Sequence, residues 1–303
     1  MKLISFRYRE QDAAGLLLGD HVIHLSKAAT VSGESADLAS LLAVVRGGEA
    51  ALAACRRIEA AARSLEAALI PASQVQLLAP IPVPIRNAFC VGRNYLEHVK
   101  ESFGGSSAAV KVPEVPQFFT KATHTVIGPG APIRLDTRLT QKLDYEVELA
   151  VVIGRAGRDI PASAALDHVF GYTIANDVTA RDLQRRHEQW FKGKSLDTTM
   201  PLGPCVVTPD ETGDVRLLEL TLSVNGQERQ RARVEQMIFD IPALIASLSA
   251  GLTLEPGDII STGTPSGVGF AMTPPQYLRD GDEMVARIDR IGELRNRVVE
   301  IAS

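Results

Sequence analysis

Short apolar runs rich in β-branched residues alternate with clusters of Gly, Pro and Asp along most of the chain, and this pattern predicts many short strands. The first predicted strands lie at residues 5–9, 14–18 and 21–24. Later ones lie at 88–91, 117–120, 146–153, 169–176, 218–224, 258–262 and 284–288. Asn225 and Gly226 follow one of these runs and predict a hairpin turn. Because helices are few, the pattern favours an α+β, β-rich fold with a closed or rolled sheet over a doubly wound one.

Helical periodicity is confined to a few segments of the chain. The predicted helices cover residues 38–45, 49–69, 96–103 and 240–249. The segment 79–84, Ala-Pro-Ile-Pro-Val-Pro, is stiff and extended. It predicts a boundary between a small N-terminal α+β domain at 1–78 and a larger domain at 79–303.

The composition narrows the class of protein without identifying its chemistry. The 303 residues are 45% hydrophobic and 22% charged, with a net charge of -4, which is ordinary for a globular protein. Acidic and basic residues are interspersed, so no nucleic-acid partner is expected. The apolar runs are too short to span a membrane and the charged start does not fit a signal peptide, so no membrane association is expected. Three scattered cysteines without a CxxC pair are typical of free thiols in a cytoplasmic protein.

Three carboxylates alternate with apolar residues at the start of one predicted strand. Asp144, Glu146 and Glu148 would share one face, because side chains alternate between the faces of a strand. A pair of like charges about 4 Å apart repels by roughly 4 kcal/mol at an effective dielectric of about 20. A divalent cation with oxygen ligands would offset that repulsion, so the run predicts a metal site. An edge strand with a solvated acidic face is the alternative.

A second cluster pairs an imidazole with a carboxylate. His98 and Glu101 stand three residues apart in the predicted helix 96–103 and can touch. A carboxylate beside an imidazole fixes its tautomer and raises its basicity, as in a general base with its orienting residue. The small residues that follow, at 102–109, indicate a lid that orders over a substrate. A surface helix with a routine His–Glu contact and a plain loop is the alternative.

Further polar residues follow other predicted strands. Asp177 comes directly after a strand, where it could complete a metal site or cap a helical turn. Arg181 and Gln184 share a face with Asp177 if a helical turn begins there. Lys121 and Lys194 each follow apolar residues and could point at an anion, although a solvated lysine is the alternative for both. Taken together, these groups suit metal-assisted chemistry on an oxyacid.

The glycine-rich stretch 263–269, Gly-Thr-Pro-Ser-Gly-Val-Gly, is not a nucleotide-binding motif. It lacks the Lys and Ser or Thr of a P-loop, and no Gly-x-Gly-x-x-Gly in the chain follows a strand and opens a helix. We interpret it as a tight turn whose backbone passes close to a ligand.

In combination, these motifs resemble those of the fumarylacetoacetate hydrolase family. The similarity runs from about residue 88 to the end through motifs in the family's order at 92–101, 118–121, 143–149, 176–182, 193–197, 201–204 and 257–269. The resemblance implies a mixed β-roll catalytic domain, a small N-terminal domain, a homodimer, and a bound Mg²⁺ or Mn²⁺.

The resemblance also implies which residues would bind the metal. Glu146, Glu148 and Asp177 match the family's ligands. Of the three carboxylates on one strand face, only two are therefore expected to bind the metal. Asp144 is then expected to brace the strand or a neighbouring lysine. Asp182 is expected to support the site without binding the metal.

Catalytic and substrate-binding roles are carried over in the same way. His98 and Glu101 match the catalytic dyad of the smaller acylpyruvase-like members, and Lys194 matches a catalytic contact to the oxyanion. The expected substrate contacts are Arg93, Tyr95, Lys121, Arg181, Gln184 and Thr264, the last at the carboxylate end of the substrate.

The reaction that the resemblance implies is metal-dependent hydrolysis of a carbon–carbon bond in an acylpyruvate-like 2,4-dioxo acid, which releases pyruvate. His98, held by Glu101, would take a proton from the water that attacks the distal carbonyl. Lys194, with Gln184 or Arg181, would stabilise the tetrahedral oxyanion.

The same site is compatible with other reactions, because neither fold nor metal decides among them. It could decarboxylate oxaloacetate, or isomerise an unsaturated 2-oxo diacid such as 2-hydroxyhepta-2,4-dienedioate. It could also hydrolyse a 2,4-dioxo-3-deoxy sugar acid, since the charged stretch 185–187 would suit a longer polar substrate. A non-catalytic binder of small oxyacids is the alternative from a different class, and the intact His98–Glu101 pair argues against it.

Overall fold

The computed structural model describes residues 1–102 and 111–301, with Arg63 described by its main chain alone. Most of the predicted lid, from residue 103 onward, therefore lies outside the described residues. The helices are α1 (Leu25–Ser32), α2 (Leu41–Arg46), α3 (Gly48–Ala60), α4 (Leu96–Ser102), α5 (Arg181–Arg186), α6 (Phe191–Lys194), α7 (Pro209–Thr212) and α8 (Ile241–Ser249).

Strands make up most of the regular structure. They are β1 (Lys2–Tyr8), β2 (Gln11–Leu18), β3 (His21–His24), β4 (Leu69–Pro71), β5 (Gln76–Leu77), β6 (Ala88–Gly92), β7 (Gln117–Lys121), β8 (Val126–Ile127), β9 (Ile133–Leu135), β10 (Leu143–Asp144), β11 (Val147–Ile153), β12 (Val169–Asn176), β13 (Thr179–Ala180), β14 (Met200–Val207), β15 (Glu219–Val224), β16 (Gln227–Arg233), β17 (Ile259–Ser261), β18 (Glu283–Ile288) and β19 (Gly292–Glu300). The α+β, β-rich prediction is confirmed.

Two large sheets organise the molecule. The main sheet has the order β4-β3-β2-β1-β14-β12-β11-β17-β6-β7, with β5 and β8 attached to β1 and β14. The second sheet has the order β16-β15-β18-β19-β9, and β10 pairs with β13 in a separate ladder. Both sheets are mixed and open within the described residues, so the closed alternative is not realised there.

Strand β11 shows how the main sheet separates two hydrophobic cores. Its odd-numbered residues, from Val147 to Ile153, belong to one core, which also contains apolar residues of the second sheet and of α8. Ala150 and Val152 belong to the other core, which contains apolar residues of α1, α2 and α3. Because the strand is buried on both faces, it is apolar at almost every position, and the carboxylates at its beginning are buried as well.

The N-terminal strands belong to the same main sheet as the strands of the later part of the chain. Lys2 and Leu3 of β1 pair with Val207 and Val206 of β14. Residues 1–78 therefore extend the sheet that carries the site, and the boundary at residues 78 and 79 stays a prediction about folding units.

Three departures from the predicted elements have identifiable causes. The helix expected over 49–69 ends at Ala60, and short 3₁₀ turns follow at Ala62–Ser64 and Glu66–Ala68. Strand β14 was missed because Pro201 and Pro204 count against a strand. Strand β16 was missed because it is polar and buries only Gln230.

The predicted hairpin and the predicted free thiols are confirmed. Val224 pairs with Gln227, and both Asn225 and Gly226 have positive φ, as a tight turn of the primed type requires. The cysteines Cys55, Cys90 and Cys205 are all free and buried. No helix within the described residues is long and apolar enough to cross a membrane.

Candidate active site

Three buried carboxylates converge where two central strands meet. Glu146 directly precedes β11, Glu148 is the second residue of β11, and Asp177 directly follows β12, the antiparallel neighbour of β11. The Asp177 N–H donates to the Glu146 carbonyl at 2.8 Å, which holds the two residues side by side. One carboxylate oxygen from each residue lies within 4.8 Å of the other two. We call this group the carboxylate triad.

The electrostatics of the carboxylate triad suit a divalent cation. Burial, reinforced by the charges of Asp177 and Glu146, raises the pKa of Glu148 to about 8. Burial alone would also raise the pKa of Glu146, but Lys194 and Arg181 outweigh it and hold that pKa below its usual range. The triad therefore concentrates hard oxygen donors that repel one another, which is the ligand chemistry that Mg²⁺ and Mn²⁺ prefer.

Metal uptake is expected to release a proton and to strengthen as the pH rises toward 8. Below the raised pKa of Glu148, about 8, the cation must displace a proton from that carboxyl, so affinity falls by up to tenfold per pH unit of acidification. Calorimetric Mn²⁺ titrations in two buffers with different heats of ionisation measure the protons released. An affinity independent of pH between about 6 and 8, with no proton release, would contradict this assignment.

Cationic side chains surround the carboxylate triad. Lys194 Nζ lies 2.8 Å from Glu146 Oε2 and 2.6 Å from Asp177 Oδ2, so it bridges two of the three carboxylates. Lys121 Nζ lies 2.8 Å from Asp177 Oδ1 and donates to a backbone carbonyl. Arg181 Nη2 lies 2.7 Å from Glu146 Oε1. These contacts offset part of the buried negative charge and fix the carboxylates in place.

Asp144 has a different partner from the one expected. Its carboxylate pairs with Arg181, with Nε to Oδ2 at 2.9 Å, and not with a lysine. It also accepts from the N–H groups of Gly269 and Phe270, at 2.8 and 3.0 Å. The predicted continuous strand is interrupted between Asp144 and Val147, and Asp144 belongs to the separate β10–β13 ladder. Through the two N–H contacts, Asp144 braces the glycine-rich turn. Asp182 accepts from the Thr140 hydroxyl at 2.6 Å.

The predicted His–Glu pair is formed on α4. His98 Nδ1 lies 2.7 Å from Glu101 Oε1, and the other oxygen of Glu101 accepts from the Gly267 N–H at 2.9 Å. Because Nδ1 is engaged by Glu101, Nε2 is the ring nitrogen left for a substrate. We call His98 and Glu101 the dyad.

The glycine-rich turn at 263–269 supports the site with backbone N–H groups. Gly263 donates to Glu148 at 2.9 Å, in addition to the contacts of Gly267 with Glu101 and of Gly269 with Asp144. At Gly267 the φ angle is +103°, and an added Cβ would lie 1.9 Å from a backbone oxygen. Glycine is therefore required there, and the turn orients carboxylates of the protein itself.

A single cavity of about 330 Å³ joins these groups. The predicted site residues that line it are Arg93, His98, Glu146, Glu148, Arg181, Gln184, Lys194 and Thr264. Lys121 lies behind Asp177, and Glu101 lies behind His98. Tyr95 is buried in the hydrophobic core and contributes nothing to the lining. The Thr264 hydroxyl donates to the Val147 carbonyl at 3.0 Å and accepts from Gln230 Nε2.

Several lining residues were not predicted from the sequence. They are Val91, Gly92, Ser102, Phe119, Glu188, Trp190 and Phe270, whereas Arg185 lies in the charged stretch 185–187 that was expected to suit a longer polar substrate. The ring of Trp190 packs edge-on against Phe119 at 5.4 Å, and a Cβ at Gly92 would lie 2.3 Å from it. The spacing of Arg185, four residues after Arg181, is a second sequence signal that places it on the same face of the helix.

Comparison with known sequences identifies the family. The model of the fumarylacetoacetate hydrolase C-terminal domain matches residues 87–299. Oxaloacetate tautomerase YisK of Bacillus subtilis (strain 168) is 52% identical over 226 residues, which cover 75% of this chain and 74% of the relative. The human mitochondrial oxaloacetate tautomerase FAHD2A is 42% identical over 254 residues, 83% of this chain and 77% of the relative.

Solved structures of similar proteins identify the same family. A fumarylacetoacetate hydrolase from Exiguobacterium antarcticum is 39% identical with a TM-score of 0.81, covering 99% of this chain and 100% of that one. A maleylpyruvate hydrolase from Sphingobium sp. SYK-6, in complex with manganese(II) and pyruvate, is 31% identical with a TM-score of 0.79 and covers 100% of both chains. The chain belongs to the fumarylacetoacetate hydrolase family of enzymes, so the resemblance is confirmed.

Proposed function

We propose that this protein interconverts the keto and enol forms of oxaloacetate. The observation that carries the proposal is that His98, Glu146 and Glu148 line one small cavity, which places a base held by Glu101 beside a carboxylate triad suited to a cation that would bind a chelating 2-oxo acid. The similarity to YisK, an oxaloacetate tautomerase, supports this substrate over the acylpyruvate expected first. The reaction removes a proton from C3 and adds one to the oxygen at C2, and it consumes no water.

We propose that Glu146, Glu148 and Asp177 hold Mg²⁺ or Mn²⁺. A cation bound there would supply a Lewis acid for the carboxylate and 2-oxo oxygens of the substrate and lower the free energy of the enolate. The protein's part is to keep the three carboxylates converged against their mutual repulsion, which the contacts of Lys194 and Lys121 accomplish.

We assign proton transfer at C3 to His98. Glu101 holds Nδ1, so Nε2 takes the C3 proton, and Glu101 stabilises the imidazolium that results. Lys194 is proposed to stabilise the developing enolate oxygen, because its ammonium lines the cavity next to the triad.

The remaining predicted residues act around the substrate in this proposal. Arg93, Gln184 and Thr264 bind it from the cavity lining. Arg181, held by Asp144 and Glu146, adds its positive charge beside the substrate. Lys121 acts through Asp177, and Tyr95 shapes the core beneath α4.

Hydrolysis of an acylpyruvate is the second candidate. The maleylpyruvate hydrolase of Sphingobium, 31% identical over the full length, favours it, and the same dyad would then activate water. The two candidates differ in whether a carbon–carbon bond breaks.

The deciding experiment follows two products in parallel. Loss of the enol absorbance of oxaloacetate measures tautomerisation, and a coupled assay measures pyruvate from oxaloacetate, acetylpyruvate, fumarylpyruvate and a 2,4-dioxo sugar acid. We expect metal-dependent tautomerisation with little pyruvate. Rapid pyruvate release from an acylpyruvate, without tautomerisation, would replace the first candidate with the second. Rapid pyruvate from oxaloacetate would indicate a decarboxylase.

We also propose the homodimer that family membership implies and a cytoplasmic location. Light scattering during size-exclusion chromatography tests the dimer directly. A mass equal to that of one 32.6 kDa chain would contradict it.

A further inference from the structure

A cationic side chain that pairs with no carboxylate of the described residues lies in the lining of the cavity. Arg185 lies on α5, four residues after Arg181, so the two side chains leave the same face of the helix. Both line the cavity, and both guanidinium groups lie by the Phe270 ring, with Cζ 4.5 Å from its centroid for Arg181 and 5.8 Å for Arg185.

The two arginines differ in what they bind. Arg181 is buried, and its guanidinium is occupied by Asp144 and Glu146. Arg185 is exposed, and within residues 1–102 and 111–301 no carboxylate oxygen lies within 4.0 Å of its guanidinium nitrogens. Residues 103–110 contain neither Asp nor Glu. Its guanidinium lies over the Phe270 ring, and among the described residues it has no ion-pair partner, which leaves its N–H donors available to a ligand.

Arg185 is an exposed residue of the cavity lining, whereas the carboxylate triad is buried. Glu146, Glu148 and Lys194 are buried residues of the cavity lining, whereas Arg185 and Glu188 are its exposed charged residues on the α5 side. A second carboxylate on a bound 2-oxo acid would meet a like charge at Glu188 unless a cation neutralised it. A guanidinium binds a carboxylate through two parallel hydrogen bonds, which makes it selective for this group.

We propose that Arg185 is a specificity-determining residue that binds the distal carboxylate of a 2-oxo dicarboxylic acid and so selects diacids over 2-oxo monoacids. This inference rests on the proposed function in that it takes the inner end of the substrate to be a 2-oxo acid. It assigns the substrate class by charge, and it does not depend on which bond the enzyme breaks or which proton it moves.

The test measures binding and does not require turnover. The ligands are 3,3-difluoro-oxaloacetate, a diacid that cannot enolise because it has no C3 hydrogen, and pyruvate, which has the same 2-oxo acid end without the distal carboxylate. Trp190 is the only tryptophan of the chain and lines the cavity, so its fluorescence reports both ligands on the Mn²⁺-loaded protein. The variants are Arg185→Gln, Arg185→Lys and the neighbouring Arg186→Gln, which is exposed and outside the lining.

We expect Arg185→Gln to weaken binding of the diacid by about 10- to 100-fold and to leave binding of pyruvate unchanged. Arg185→Lys should recover part of the loss, and Arg186→Gln should match the wild type. Equal weakening of both ligands by Arg185→Gln, or no weakening, would overturn the inference. The wild type could prefer the diacid, and Arg185→Gln could lose that preference, while the wild type fails to tautomerise oxaloacetate. That result would refute the proposed function and still support the role of Arg185.

Discussion

Glu148→Gln is expected to weaken metal binding severely and to abolish turnover at ordinary Mn²⁺ concentrations, without lowering the stability of the metal-free protein. The substitution removes one of the three anionic donors, so we expect Mn²⁺ affinity to fall by about 100-fold or more. Loss of a residue that only hydrogen-bonds to a metal ligand already costs about 10- to 100-fold in affinity. The same change removes a carboxylate that burial and two neighbouring carboxylates hold at a raised pKa of about 8. Gln resembles the protonated form, and its oxygen can accept from Ser261 and Gly263 as Glu148 does.

The raised pKa of Glu148 also makes the stability of the metal-free protein depend on pH. The pKa of Glu148 is raised in the folded state, so the metal-free wild type binds the proton more tightly than the unfolded chain does. Its stability should therefore fall relative to that of Glu148→Gln as the pH rises from about 4.5 to about 8. Thermal unfolding with and without Mn²⁺ measures this, and the metal should stabilise the wild type alone, by about 2.7 kcal/mol at 100 times its Kd.

Glu97→Gln provides the matched control for this prediction. Glu97 is an exposed residue of α4 that pairs with Lys100 and does not line the cavity. The control should bind Mn²⁺ and turn over like the wild type. Wild-type Mn²⁺ affinity in Glu148→Gln would show that the triad is not the metal site.

His98→Ala is expected to remove turnover while leaving the metal site intact. Loss of a positioned general base lowers kcat by about 10²- to 10⁴-fold. His98 lines the cavity but contributes no atom to the carboxylate triad, so Mn²⁺ affinity should be unchanged. Initial rates of tautomerisation and Mn²⁺ titration of the same preparation separate the two effects.

Two further variants make the result for His98 specific. His124→Ala removes an exposed histidine whose partner is Asp197 and should keep full activity. Glu101→Gln loses the negative charge beside His98 while keeping one acceptor, so its kcat should fall between those of the wild type and His98→Ala. Full activity in His98→Ala would rule out the dyad as the base.

The sequence was most informative where local pattern and burial agree. The run from Val147 to Ile153 could be predicted as a buried strand because it is apolar and β-branched almost throughout. Strand β16 could not, because it is held by the hairpin at Asn225 and by its neighbour β15, and its own residues are mostly polar. The 3₁₀ turns after Ala60 replace an expected helix, because the helix propensity of an alanine-rich segment is a weak guide to where a helix ends.

The site was predictable as a set of residue types but not as a network. Motif order and chemistry single out the carboxylates and the His–Glu pair. The partner of Asp144 could not be deduced, because it depends on β10 meeting β13 and on Arg181 following that ladder. The hydrogen bonds from the glycine-rich turn to Glu148, Glu101 and Asp144 depend equally on long-range packing, although the glycine spacing marked the turn as special.

The measurement that tests the central claim most directly is the rate of enol-to-keto conversion of oxaloacetate as Mn²⁺ is titrated into metal-free enzyme. The account predicts a rate that rises in proportion to bound metal, saturates at a single ion per chain and returns to background with EDTA. A rate above background that is the same with Mn²⁺ and with EDTA would contradict it, because the carboxylate triad would then have no part in the chemistry.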